Sequence, residues 1–206
     1  MPYIDPDFFT ETVRLSSPRE SKVQHIVDVA EKHFAMHGYS KVTMEDVATE
    51  LGISKASLYY YFEDKGALFR EVFAKIMNAF WDDLSALLER NMTGIERLKV
   101  YAKLRHKLFH KYITLAGIGS GLVTEFGSTL PGFLSDFKAK ECAFVKRILE
   151  SDDGFHVADT GSTAELVVGI LHGLRLRHRH AGVPMETLTR EIEPMLDILV
   201  HGLAKR

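Results

Sequence analysis

A single cysteine, Cys142, stands in 206 residues, so no disulfide can close within the chain. Long apolar runs are missing as well. No stretch of about 18 apolar residues occurs, so no segment is built to cross a membrane as a helix. Asp5 and Asp7 sit where an export signal needs positive charge, and a cytoplasmic protein is therefore expected. No nucleophile–base pair and no acidic dyad stands out, which removes the usual supports for a hydrolase. From Gly94 onward no segment alternates polar and apolar residues between two turn signals, so strands are not expected there. Basic charge is scarce in the N-terminal third: residues 1–66 hold seven Lys/Arg against eleven Asp/Glu, a net of −4.

What is present is an ordinary apolar fraction of 46%, in a chain long enough for one large domain or a small domain joined to a larger one. The most informative stretch runs from Thr43 to Phe62. Thr43 can cap a helix with its hydroxyl, with Asp46 at the third position, where a capping box prefers Glu or Gln. Val47, Ala48 and Leu51 follow at helical spacing, and Gly52 can take positive φ at the C-terminal end. Ser54 is a second N-cap. Leu58 and Phe62, four apart, give the next helix a buried face, which leaves Lys55, Ser57, Tyr59, Tyr60 and Tyr61 outside. Two short helices joined by a tight turn form a helix-turn-helix, whose second helix enters the DNA major groove.

On these residues the chain resembles the TetR family of transcriptional repressors. The resemblance rests on Thr43-Met44 with Asp46-Val47-Ala48, on Leu51 to Lys55, and on Leu58 to Phe62 followed by Asp64-Lys65 and Leu68. It is close from about Ser21 to Phe73 and beyond that is one of helical layout. It implies base contacts from Lys55, Ser57 and Tyr59, phosphate contacts from Thr43, Ser54, Tyr60 and Lys65, and either role for Tyr61. The acidic balance opposes a DNA-binding head, so weak nonspecific binding and a shallow salt dependence are expected.

Along the chain, residues 1–18 carry three prolines and suggest a frayed arm. A first helix follows from Arg19, with Val23, Ile26, Val27, Ala30 and Phe34 at 3–4 spacing, and ends at His37-Gly38. Its exposed basic residues, Lys22 in particular, are candidates for DNA backbone. A long helix is expected from Asp64 to about Arg90, with an apolar stripe too wide for one contact. Further helices are expected at about 95–114, 117–129, 131–150, 160–180 and 185–204, with Pro194 kinking the last. The glycine-rich Ala116–Gly121 lacks the strand and the Lys-Ser/Thr of a phosphate loop.

The resemblance implies an effector cavity and a dimer built on the last two helices. Candidates for the cavity are Met77, Phe80, Trp81, Leu104, Leu108, Phe109, Phe126, Phe133 and Phe137, with solid core as the alternative. His172 and Arg175 could meet an anionic or hydroxylated ligand or bond across the dimer interface. Leu166, Ile170, Leu174, Met195, Ile198 and Leu199 are the dimerisation candidates. His106 and His110, four apart, have metal-ligand spacing, but no Cys or carboxylate completes a site and Lys103, Arg105 and Lys107 suggest a solvated face. Lys140 and Lys146 could lower the pKa of Cys142, but a lone helical cysteine is usually packing.

The expectation is an all-α protein with an arm at 1–18, a three-helix head at 19–66 and a ligand-binding and dimerisation domain at 67–206. Its function would be that of a homodimeric repressor on a palindromic double-stranded operator, released by a small, largely apolar effector. No cofactor, metal or membrane is expected to take part. The rival is a helical enzyme using His106, His110 or His172.

Overall fold

The structure, a computed structural model, describes residues 18–114, 125–151, 153–181 and 185–203; side chains at 109–114, 129, 174–181, 185–189, 191 and 193 lie outside that description. Every regular element among the described residues is helical, and none is a strand. In order these are α1 (Pro18–His37), α2 (Met44–Glu50), α3 (Lys55–Tyr61), α4 (Lys65–Glu89) and α5 (Gly94–Thr114). A 3-10 turn (Gly127–Thr129) then precedes α6 (Leu130–Leu149), α7 (Thr160–Ala181) and α8 (Met185–Leu203). Residues 1–17 of the expected arm and the Ala116–Gly121 stretch fall outside the described residues, and Pro18, expected in the arm, opens α1. No described helix is long and apolar enough to cross a membrane.

The described residues form two compact units. One takes those of 1–79 and 111–130, the other those of 80–110 and 131–206. The division falls inside α4, thirteen residues beyond the expected boundary at 66, and draws Glu125 and Phe126 into the first unit.

In the first unit each helix ends where local chemistry stops it. α1 closes on Gly38, whose φ of 78° is cheap only for glycine, and Gly38 N–H bonds the Phe34 carbonyl at 2.9 Å. Thr43 and Asp46 form a complete capping box. The Thr43 hydroxyl accepts from Asp46 N–H at 3.2 Å, and the Asp46 carboxylate accepts from Thr43 N–H at 2.8 Å and from its hydroxyl at 2.7 Å. Asp therefore does here what Glu or Gln does more often, one methylene shorter. Gly52, at φ 65°, turns the chain into α3, where Ser54 accepts from Ser57 N–H at 3.1 Å. Asp64 caps α4 by accepting from Ala67 N–H at 2.6 Å. The core beneath holds Ile26, Ala30, Phe34, Val47, Leu58, Leu68 and Phe69, all at or near full burial. Phe69 meets Phe34 and Tyr39 edge-on, with centroids 5.4 and 4.7 Å apart. Lys75 of α4 reaches both Asp28 and Glu31 of α1 at 2.6 Å.

The capping box yields a pH-dependent prediction. Asp46 is held below the ordinary aspartate value of 3.8, first by the Thr43 hydroxyl and then by the Thr43 amide, both donating to the charged form. A folded value below the unfolded one stabilises fully above the unfolded value, and that stabilisation is lost as pH falls through the folded one. Asp46→Asn is expected to lower the thermal midpoint at neutral pH and to lower it progressively less in acid. Parallel pH profiles for the two proteins down to about pH 2 would contradict this.

The second unit buries Leu98, Tyr101 and Ala102 of α5, Val145, Ile148 and Leu149 of α6, Ala164, Val167, Val168 and Leu171 of α7, and Ile192, Leu196 and Val200 of α8. One expectation is overturned here. Arg105, placed with Lys103 and Lys107 on a solvated face, is only 3% exposed, and Glu141 only 1%. Arg105 Nε and Nη2 donate to the two Glu141 oxygens at 2.5 and 3.2 Å, and the Tyr101 hydroxyl donates to the same carboxylate at 2.8 Å. Local spacing marked Arg105 as one cation in a basic run; the buried partner lies on a different helix. At Cys142 the packing alternative is the one supported. Partial burial pushes its thiol above the ordinary value, and this outweighs nearby Lys138, so its surroundings do not activate it. Pro194 lies exposed inside α8, and the helix runs continuously through it.

Candidate nucleic-acid interface

α3 is held by very little of itself. Leu58 is its one buried residue, and the next anchor is Phe62 just beyond its C-terminus. The remaining positions face outward. Tyr59 is 43% exposed and Tyr60 70%, while Tyr61 is half-buried with its ring edge-on to Tyr60 at 5.1 Å. Large aromatic surfaces left in water carry a hydrophobic cost of roughly 25 cal/mol per Å², so their presence on a short helix calls for a use outside the fold.

The polar candidates are placed as follows. Ser54 and Ser57, both exposed, share a hydroxyl–hydroxyl bond of 2.8 Å at the start of α3. Lys55 is exposed and paired with Glu45 at 3.6 Å; a pair this open is worth little, and Lys55 can exchange it for another anion. Thr43 is exposed, but its hydroxyl proton is committed to Asp46. Lys65 is the departure. Two of its three N–H donors go to the Tyr39 and Val42 carbonyls, each at 3.0 Å, and its ammonium lies 4.4 Å from the Tyr39 ring centroid. It braces the loop between α1 and α2, with one donor left over.

Tyr39 in turn donates to Glu125, which also accepts from Arg70 at 3.3 Å. Burial first, and Glu125 second, push the Tyr39 phenol far above its ordinary value, so it stays a donor at every accessible pH. Phe126 packs edge-on against Phe73 at 5.3 Å. Sequence reasoning placed Phe126 among effector-lining residues; it lies buried in the first unit, as does Met77. Arg19, one of the exposed basic residues of the first helix, places its guanidinium over the Tyr60 ring, 5.7 Å from its centroid. Nothing in local spacing links the two.

Among the effector candidates, the second unit brings together Phe80, Trp81, Phe133 and Phe137. Centroid separations are 5.2 Å for Phe80–Trp81, 6.0 Å for Phe80–Phe137, 5.4 Å for Trp81–Phe137 and 6.4 Å for Phe133–Phe137. Phe80 is buried and the other three are half-buried. Leu108 is buried and Leu104 half-buried on α5, and His172 is exposed on α7. The side chains of Phe109, His110, Leu174 and Arg175 lie outside the described residues. Of the dimerisation candidates, Leu166, Ile170 and Ile198 are exposed, while Met195 and Leu199 are half-buried. Among the described residues, no group of three His, Cys, Asp or Glu could hold a metal ion.

Residues 26–72 match the family described as bacterial regulatory proteins, tetR family. Over 59 residues the chain is 36% identical to IcaR of Staphylococcus epidermidis, a negative transcriptional regulator of the icaADBC biofilm operon, covering 29% of this chain and 32% of that one. The chain spans about a third of the length of the curated relatives it matches over this segment. The solved structure of a transcriptional regulator from Cytophaga hutchinsonii is similar over 90% of this chain and 100% of its own, at 27% identity and a TM-score of 0.78. A TetR/AcrR-family regulator from Thermobifida fusca shares the fold at a TM-score of 0.69 and 15% identity, over 88% of this chain and 98% of that one. With its helix-turn-helix head matching the tetR family over residues 26–72 and its all-helical fold, the chain is similar to TetR-family transcriptional regulators.

Proposed function

We propose that this protein is a ligand-responsive repressor that binds a palindromic operator as a homodimer. The observation that carries the reading is the exposed face of α3, with Ser57, Tyr59 and Tyr60 turned outward on a helix anchored by Leu58. Tyrosine hydroxyls and a lysine at the helix start suit phosphate and base edges without a basic domain. Repression is supported by the function named for IcaR. The dimer is supported by the exposed Leu166 and Ile170, four apart on α7, and by Ile198 on α8, which is 77% exposed. Two heads on half-sites one helical turn apart multiply a weak individual affinity. The half-buried rings of Trp81, Phe133 and Phe137 suit a small, largely apolar effector. Such an effector would act by shifting the population toward a head spacing that no longer fits successive major grooves.

Selection of random duplex DNA on the purified protein tests this. A palindromic consensus is expected, and Tyr60→Ala should lose it while keeping the wild-type thermal midpoint, since Tyr60 is exposed. Absence of any enriched sequence at low salt would defeat the repressor reading.

A further inference from the structure

We infer that His33, Met36 and His37, at the C-terminal end of α1, form a binding site for a monovalent copper ion. The site stands independently of operator binding, and it departs from the expectation that no metal takes part. Helical spacing puts the three residues on one side of α1: at about 3.6 residues per turn they span an arc of about 100°. That side faces outward. Met36 is 69% exposed, His37 is exposed and His33 is half-buried.

A single exposed methionine is ordinary on a surface, and so is a pair of histidines four apart. Here both fall on the same turn, and the ring geometry suits one ion. The imidazole centroids stand 6.0 Å apart, tilted by 48°. With a metal–nitrogen bond of about 2.0 Å a ring centre sits about 3 Å from its ion, so one ion between the rings can bind both at a wide angle. The tetrahedral angle of zinc would draw the two centres to about 5 Å. Copper(I) accepts few ligands at wide angles and favours soft thioether sulfur. Among the described residues no third His, Cys, Asp or Glu completes the pair, and the Met36 thioether is the remaining donor. His106 and His110 share the spacing but have Phe109 where this pair has Met36.

The surroundings favour a cation. His37 ends α1, where the helix carries partial negative charge. The Asp46 carboxylate is near enough to feel both imidazoles, and its Oδ2 is engaged by the Thr43 amide and hydroxyl. It therefore supplies counter-charge from outside the ligand set. A bound ion would tie the last turn of α1 just ahead of Gly38 and stabilise the folded head by mass action.

The test is transfer of copper(I) from its coloured bicinchoninate complex to untagged protein, with ascorbate and without oxygen. Wild type should take up one equivalent more than His37→Ala, and the ion should raise the wild-type thermal midpoint more than that of the variant. Met36→Leu keeps the volume and should weaken this copper by more than the about 10–100-fold typical of losing an outer-shell partner. Equal uptake by wild type and His37→Ala, or undiminished affinity in Met36→Leu, would overturn the inference. Both substituted side chains are exposed, so the metal-free variants should melt with wild type, which separates lost copper from lost fold.

Discussion

Replacing Arg105 with Met is expected to cost about 3–5 kcal/mol of stability, the loss typical of breaking a buried ion pair from one side. The damage lies in what stays behind. Glu141 keeps its place between α5 and α6 with only the Tyr101 hydroxyl still donating to it, at 2.8 Å. A carboxylate that water cannot reach needs more than one neutral donor. Methionine has similar length and no charge, so lost packing contributes little. The double variant Arg105→Met with Glu141→Leu should regain much of the loss, since a buried pair exchanged for apolar side chains is often neutral. Adding Tyr101→Phe should regain more, because the double variant leaves that hydroxyl stranded at about 1–3 kcal/mol. Trp81 is the sole tryptophan and lies in the second unit, so its fluorescence during urea unfolding reports the event directly. A single-variant loss under about 1 kcal/mol would show that the pair is not isolated from water.

Leu58→Ala should have a comparable effect on the other unit. Leucine-to-alanine changes in a core cost about 2–5 kcal/mol, more when the hole cannot collapse. Here the hole opens beneath a seven-residue helix that offers no other buried side chain. A helix this short has no stability of its own in water. The expected outcome is loss of operator binding and of part of the helical signal, at temperatures where Trp81 fluorescence still reports a folded second unit. Unchanged operator affinity and an unchanged melting profile would contradict it.

The parts of the fold that were legible in the sequence are those set by neighbours in sequence. Thr43, Ser54 and Asp64 could be read as caps because a cap bonds two or three residues on, and Gly38 and Gly52 mark chain reversals for the same reason. Leu58 and Phe62 were readable as the inward face because helical periodicity sorts side chains within a few turns. The pairs that escaped join elements far apart in sequence. Arg105 looked like surface because its neighbours are lysines, and nothing within a few residues announces Glu141. Lys65 was read by its resemblance to a phosphate-binding lysine, and its bonds to Tyr39 and Val42 come from a loop that only folding brings near. Arg19 and Tyr60 belong to the same class. Phe126 was grouped with other large apolar residues by size, a criterion that cannot say which core a ring joins.

The Tyr39–Glu125–Arg70 cluster bears on how such regulators can be recombined. A hybrid made by grafting this head onto a foreign body, with the junction in α4 at Ala79, would carry Tyr39 and Arg70 across but leave Glu125 and Phe126 with the donor. Gly66 sets a further constraint. A Cβ there would come within 2.0 Å of a Glu125 carboxylate oxygen, so any larger residue at 66 in the grafted head would force that carboxylate to shift. The transferable part is thus discontinuous: residues to Ala79 with Gly66 kept, plus the dipeptide at 125–126.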